Sequence, residues 1–235
     1  MPFRNLTIDQ LARHIGMDAR EVRRLADRGQ LPGQLVGGQW RFNQAAMLDW
    51  LQREMHSLGE EHLRNLEKAM SDDPDRAPLL GELIPTEAVE IFLPARSRAS
   101  VLRELVNLVE RTGMLYDADA LHTALAEREE LCSTGLAGGF AFPHPRRPLP
   151  LATAEPLVCI ARVPAGIAFG APDGRMTDLF VLVCAHDERR HLQILARLGL
   201  LFSHDLPERL RTAESNAAAL EALLDVESHF VTTNR

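Results

Sequence analysis

Apolar residues recur at helical spacing in two parts of the chain, separated by a short charged and proline-containing run. In "LTIDQLARHIGMDAREVRRLADRGQLP" (residues 6–32), Leu11 with Ile15 and Val22 with Leu25 fall three or four apart, as on one face of each of two short helices. Thr7 followed three residues later by Gln10 predicts a capping box at the first helix, and Asp18 with Glu21 predicts another at the second. Gly16 and Gly29 follow the last periodic residues and predict the two helix ends. "QLVGGQWRFNQ" (34–44) places two extended pieces around Gly37 and Gly38, a pair suited to a tight hairpin. A third helix is expected over about 44–55, burying Met47, Trp50 and Leu51.

A charged helical stretch runs from Ser57 to Met70, with Leu58, His62, Leu66 and Ala69 on one stripe; it is suited to pairing with a second copy or to docking on its own chain. "SDDPDRAP" then cannot pack a core and predicts a boundary near 71–80. Beyond it, "ASVLRELVNLVERTG" and "DADALHTALAEREEL" are amphipathic helices, the first stopped by Gly113. "PLVCIARV" and "MTDLFVLVCA" are apolar and β-branched, as buried strands are, and "HLQILARLGLLFS" and "NAAALEALLD" close with helices. This alternation predicts an α/β layer fold. The division expected is therefore 1–55 as a small, mainly helical winged helix-turn-helix unit, 56–80 as a helical linker and 81–235 as the α/β domain.

Charge refines this division. The chain carries a net −7, but residues 1–55 hold eight arginines against six acidic side chains, so a slightly basic module sits on an acidic one. Arg20, Arg23, Arg24 and Arg28 fall on the second helix, with Gln39 and Arg41 at the wing. Arginines there reach phosphates or read guanine, so DNA is an expected partner, while Trp40 suits core and contact equally. One small unit holds a half-site weakly, which makes a homodimer an expectation. The apolar runs Leu179–Ala185 and Leu198–Phe202 are far short of the roughly 20 residues a membrane helix needs. No secretory pattern opens the sequence, so no membrane partner and a cytoplasmic location are expected. Cys132, Cys159 and Cys184 are odd in number and lack C-x-x-C spacing, which predicts buried, reduced thiols.

Candidate chemistry centres on "STGLAGGFAFPHPRRP" (133–148). A neutral imidazole nitrogen is a nucleophile near neutral pH, and a phosphorylated imidazole is a transferable phosphoryl group. Pro143 and Pro145 restrict the backbone around His144. Gly135, Gly138 and Gly139 expose amides, and Ser133 and Thr134 add hydroxyls, for phosphate oxygens. Transfer needs positioning and positive charge, for which Arg128 is the nearest upstream candidate. A lone Pro-His pair would read as a surface turn, and Arg128 as a solvated helix end; the whole neighbourhood favours function. His186, Arg146 and Arg147 read as surface residues, the two arginines being suited to an acidic partner or a phosphate. His144, His186 and His191 lack metal-ligand spacing, so no metal and no cofactor are expected.

Two resemblances sharpen the picture. "LTIDQLARHIG", "REVRRLADRGQLP" and "VGGQWRF" resemble the excisionase and MerR-like winged helix-turn-helix family. "EREELCSTGLAGGFAFPHPR" (127–146), with "FGAPDGRMTDLFVLV" and "HLQILARLGLLF", closely resembles the enzyme IIA domain of the fructose/mannitol and nitrogen-regulatory branches of the phosphotransferase system. That resemblance implies a mannitol-type mixed sheet flanked by helices, a phosphoacceptor at His144, a phosphate-binding arginine at Arg128 and a second active-site histidine at His191. It also implies an HPr-like phosphocarrier protein as donor. Ala137 stands where many members have glycine. The expected function is a phosphorylation-responsive regulator, a phosphocarrier rather than a turnover enzyme, with DNA binding as its output. Two alternatives stay open: a sensor that binds a small phosphorylated ligand or nucleotide in the same pocket, and a protein-interaction adaptor.

Overall fold

The computed structural model describes residues 5–55, 58–71 and 80–233. The Asp- and Pro-rich boundary expected at 71–80 lies outside the described residues except for Ser71 and Leu80, and Ser57, the start expected for the charged helix, lies outside them too.

Local rules build the N-terminal unit. Helix α1 (Ile8–Ile15) is capped by Thr7 in the reciprocal box with Gln10, and it ends at Gly16 in the left-handed conformation at φ 65°. Helix α2 (Ala19–Asp27) starts from Asp18, whose carboxylate accepts from the Arg20 amide. The expected second box does not close: Glu21 pairs with Arg24 one turn later, a contact its longer side chain makes on the helix surface. Strands β2 (Gly33–Val36) and β3 (Gln39–Asn43) pair antiparallel across Gly37 and Gly38, both at positive φ, as a two-residue hairpin requires. A further strand, β1 (Asn5–Leu6), pairs with β3 and makes the wing a three-stranded sheet. Helix α3 (Gln44–Glu54) buries Met47, Leu48 and Leu51, whereas Trp50 is only partly covered.

Helix α4 (Glu60–Met70) buries Leu63, Leu66, Glu67 and Met70. The stripe expected through Leu58, His62 and Ala69 is thus displaced by about one position, Leu66 being common to both. Of the two partners open to this helix, it takes its own chain.

The C-terminal domain is a five-stranded mixed sheet ordered β4-β7-β8-β6-β5, formed by β4 (Val89–Glu90), β5 (Gly135–Leu136), β6 (Phe140–Ala141), β7 (Leu157–Ile167) and β8 (Thr177–Cys184). Strands β7 and β8 form its antiparallel spine, pairing Val158 with Val183 and Ile160 with Val181. Alternation sends Val158, Ile160, Leu179, Val181 and Val183 to one face, and Cys159, Ala161, Phe180, Leu182 and Cys184 to the other. The second face is covered by α5 (Arg98–Arg111) and α6 (Ala118–Leu131). The first lies under α7 (Glu188–Phe202), α8 (Leu206–Thr212) and α9 (Asn216–Thr233). Cys159 and Cys184 are buried reduced thiols, but Cys132 is exposed, because it follows the last turn of α6 where the chain leaves the core.

The two parts share one hydrophobic cluster. Leu11, Ile15, Met47 and Leu51 are continuous through Leu63 and Leu66 of α4 with Leu195 and Leu198 of α7. At the same junction, Arg197 of α7, with 2% of its side chain exposed, donates to Glu67 of α4 at 2.8 Å and to Glu227 of α9 at 3.2 Å. Glu227 also accepts from the amides of Leu80 and Gly81. Burial pushes both carboxyls above their ordinary value, with Arg197 pulling the other way.

Arg197→Met leaves both carboxylates buried without their cation and is expected to lower stability at pH 7 by about 3–5 kcal/mol, measured by urea unfolding. Carboxyls raised in the folded state cost stability as pH rises. The Arg197→Met deficit is therefore expected to shrink as pH falls, because without Arg197 nothing from that side opposes the upward push of burial on the two carboxyls.

Candidate functional site

Strand β6 delivers the Phe142–Pro145 segment to the edge of β8, where the Val183 amide donates to the Pro143 carbonyl at 3.0 Å. His144, only 3% exposed, is held from one side: its Nδ1 lies 2.6 Å from the Phe142 carbonyl oxygen. A carbonyl can only accept, so Nδ1 carries the proton and Nε2 carries the lone pair. That Nε2 is buried and makes no hydrogen bond among the described residues. His191, in the first turn of α7, places its ring 5.0 Å from that of His144, centroid to centroid. Arg128, in the last turn of α6, is 5% exposed and donates to the Cys132 carbonyl at 2.6 Å, the one hydrogen bond of its guanidinium among the described residues.

Electrostatics keep both rings neutral. Burial holds His144 well below its ordinary value, helped by His191 and Arg128 and opposed by the Phe142 carbonyl. Burial also takes His191 down to about 4, with Arg128 adding to the drop and Asp187 opposing it.

The loop before His144 is arranged differently from a row of free donors. Ser133, Thr134 and Gly135 line the same cavity as His144 and Arg128. The Ser133 hydroxyl donates to the Phe169 carbonyl at 2.6 Å and accepts from the Gly135 amide at 3.0 Å. Thr134 gives both its amide and its hydroxyl to Glu129, which is buried one residue after Arg128. Gly138 and Gly139 stand outside that lining, in the turn between β5 and β6, at φ 94° and 83°. There the Gly138 amide donates to Asp173 at 2.9 Å and its carbonyl accepts from Arg211 at 2.6 Å. In this arrangement the glycine pair shapes the turn that aims Phe142 and His144. Glu129, which fixes the loop, stands within the 127–146 motif but had no role assigned from sequence.

Residues of the N-terminal unit also reach this site, and no sequence signal pointed to them. Gln52 of α3 places its amide nitrogen 3.0 Å from His191 Nε2 and donates to the Arg146 carbonyl at 3.3 Å. An amide nitrogen only donates, so His191 Nε2 accepts there. Asp49 of α3 takes a two-pronged ion pair from Arg146, which the sequence placed on the surface and suited to an acidic partner. Gln44 bonds Glu188 at 3.2 Å. Between the two units lies a cavity of about 510 Å³, walled by Met55, Leu58, Phe140 and Phe202, with Arg53 and Arg128 also on its lining. Among the described residues no three His, Cys, Asp or Glu side chains converge as metal ligands would.

The arginines of α2 point elsewhere. Arg20, Arg23, Arg24 and Arg28 are exposed, as is Gln39, which accepts from Arg41 at 2.8 Å. Trp40 is half-buried; it stacks on Phe42 and donates to Asp27 at 2.9 Å, so it braces the wing against α2. Leu35 and Val36 stand exposed beside the hairpin turn. His186 bonds the Thr153 carbonyl at 3.0 Å, away from His144. No helix among the described residues is long and apolar enough to cross a membrane.

Known proteins match both parts. A family model described as phosphoenolpyruvate-dependent sugar phosphotransferase system, EIIA 2, matches residues 82–226, and one described as a helix-turn-helix domain matches residues 6–55. The chain is similar to the fructose-specific EIIA component of Haloferax volcanii, at 32% identity over 150 residues, 63% of this chain and 96% of that protein. It is similar to a nitrogen regulatory protein of Pseudomonas aeruginosa, at 31% identity over 141 residues, 59% of this chain and 90% of that one. Among solved structures, nitrogen regulatory protein IIA-Ntr from Neisseria meningitidis aligns with a TM-score of 0.56 and 26% identity, covering 62% of this chain and 99% of its own. The mannitol IIA of Escherichia coli shares the fold, with a TM-score of 0.52 at 21% identity over 60% of this chain and 98% of its own. With that match spanning most of its length, the chain belongs to the EIIA type 2 family of the phosphotransferase system, and it carries a helix-turn-helix domain ahead of the family's own fold.

Proposed function

We propose that this protein is a cytoplasmic, phosphorylation-responsive regulator, in which His144 accepts a phosphoryl group and the helix-turn-helix unit binds DNA. The observation that carries the reading is the neutral Nε2 of His144, unpartnered among the described residues, with the ring proton held on Nδ1 and donated to the Phe142 carbonyl. In the transfer, the Nε2 lone pair attacks phosphorus as the bond to the donor breaks, and the donor atom keeps that electron pair. No proton need leave the ring. The Arg128 guanidinium offsets phosphate charge, and His191, neutral, orients against the phosphoacceptor ring. Ser133, Thr134 and Gly135 shape the neighbouring wall, with Gly138 and Gly139 setting its turn. An HPr-like phosphocarrier protein is the donor this assignment requires.

On the output side, Arg20, Arg23, Arg24 and Arg28 meet the DNA backbone or base edges, and Gln39 and Arg41 follow the wing. Two copies binding two half-sites would supply the affinity one unit lacks. A second reading is favoured by the cavity of about 510 Å³. Its size and its mix of apolar wall and arginine suit a small phosphorylated ligand or nucleotide held without covalent transfer.

Exposure to phosphoenolpyruvate, enzyme I and HPr is expected to give a phosphate-sized gain in intact mass for the wild type and none for His144→Ala. No gain in the wild type, with a competent control carrier, would leave the ligand sensor as the better reading. Histidine NMR is expected to show His191 titrating near 4 rather than at its ordinary 6.5, with His144 also well below that value. Between these two values the unfolded chain binds the His191 proton and the folded protein does not, so this histidine's contribution to stability falls as pH drops from 6.5 to about 4. Arg23→Ala with Arg24→Ala is expected to weaken DNA binding and to reduce the log–log salt slope by about 0.9 for each phosphate that the arginines no longer neutralise.

A further inference from the structure

The Arg128–His144–His191 site is roofed by the other half of the same chain. Asp49 and Gln52 of α3 hold Arg146 and His191, and Arg53, Met55 and Leu58 continue the cover over the cavity that His144 lines. Beneath this cover His144, the candidate nucleophile, has 3% of its surface exposed.

A protein that delivers a phosphoryl group must bring phosphorus within about 3 Å of Nε2, with its own leaving atom on the far side. It must also bury some hundreds of Å² around that point. Both requirements fall on the face that α3, Met55 and Leu58 now occupy.

We propose that the winged helix-turn-helix unit and the phosphoryl-donor protein compete for this one face, with Asp49 and Gln52 as the latch that closes α3 over the site, while apolar packing on α4 holds the unit to the chain. The competition with a donor rests on His144 being the phosphoacceptor; the cover itself does not. The latch is made of a partly exposed ion pair and amide hydrogen bonds, with side-chain exposures of 50% at Arg146 and 29% at Asp49. Contacts of that kind exchange with water at small net cost, which suits a cover that must lift. The α4 docking is different in kind, because its Glu67 is buried with Arg197. Meanwhile the α2 arginines face solvent in the covered form, so that form can meet DNA without uncovering His144.

The test uses the full chain and first asks about cover alone. Diethyl pyrocarbonate modifies neutral, accessible imidazole, and peptide mass spectrometry reads His144 against exposed His229 in the same molecule. His144 is expected to be protected in the wild type. In Asp49→Lys with Gln52→Ala, its rate relative to His229 is expected to rise about fivefold to tenfold, as removal of one ion pair and two hydrogen bonds shifts such an equilibrium. Asp49→Lys combined with Arg146→Asp restores the pair with charges exchanged and is expected to restore protection, which separates an opened latch from a misfolded variant. Equal reactivity of His144 and His229 in the wild type overturns the proposal, as does a rate indifferent to the latch. The second readout is phosphoryl uptake from phosphorylated HPr by the wild type and the Asp49→Lys with Gln52→Ala variant. Faster uptake by the unlatched form supports competition, and equal uptake despite unequal modification rates overturns it. No uptake by either form sinks the phosphoacceptor reading and the competition with it, while the modification rates still decide the cover.

Discussion

The placement of everything above His144 depends on one buried cation. Arg197 leaves α7 inside the protein and meets a carboxylate from α4 on one side and one from α9 on the other. Taking a guanidinium out of water is costly, and only tight pairing in good geometry offsets it. The arrangement therefore admits few alternatives: if α4 slides or turns, Glu67 leaves and the buried Arg197 keeps Glu227 alone. Helix α1 in turn sits closely on α4, where a side chain at Gly16 would run into the Asn65 carbonyl. The register of the small unit is thus inherited, through α4, from a charge in the core of the large one.

That inheritance divides the helices of the small unit by task. The arginine-bearing face of α2 is left to solvent, while α3 turns its Asp49 and Gln52 toward the EIIA fold. A helix-turn-helix tethered by a loose linker would have no preferred side. Here α4 (Glu60–Met70) is packed on the large domain, so in the covered form the two surfaces that matter for the proposed function face in different directions.

The sequence was most legible where the physics is local. The Thr7 box, the Gly37–Gly38 turn and the two long strands depend on neighbours a few residues away, and they formed as expected. Strands β4, β5 and β6 are two residues each and exist only because β7 and β8 offer them edges, so no periodicity could announce them. The α4 stripe missed by a position because Glu67 is buried, and a hydropathy pattern cannot foresee an acid drawn inward by an arginine 130 residues away. At the site, a motif and a resemblance singled out His144, Arg128 and His191, and the fold brings all three together. What they did not disclose is Gln52, an ordinary amide on a helix surface whose importance is conferred by the tertiary approach of the two units.

The short contact between His144 and its own backbone carries a consequence for the product of any reaction at that ring. With Nδ1 committed to the Phe142 carbonyl, an electrophile finds one nitrogen available and the other masked. The ring is thereby regioselective before any partner arrives: one of the two isomeric phosphohistidines would form, and reagents raised against the other would pass over this protein without a signal.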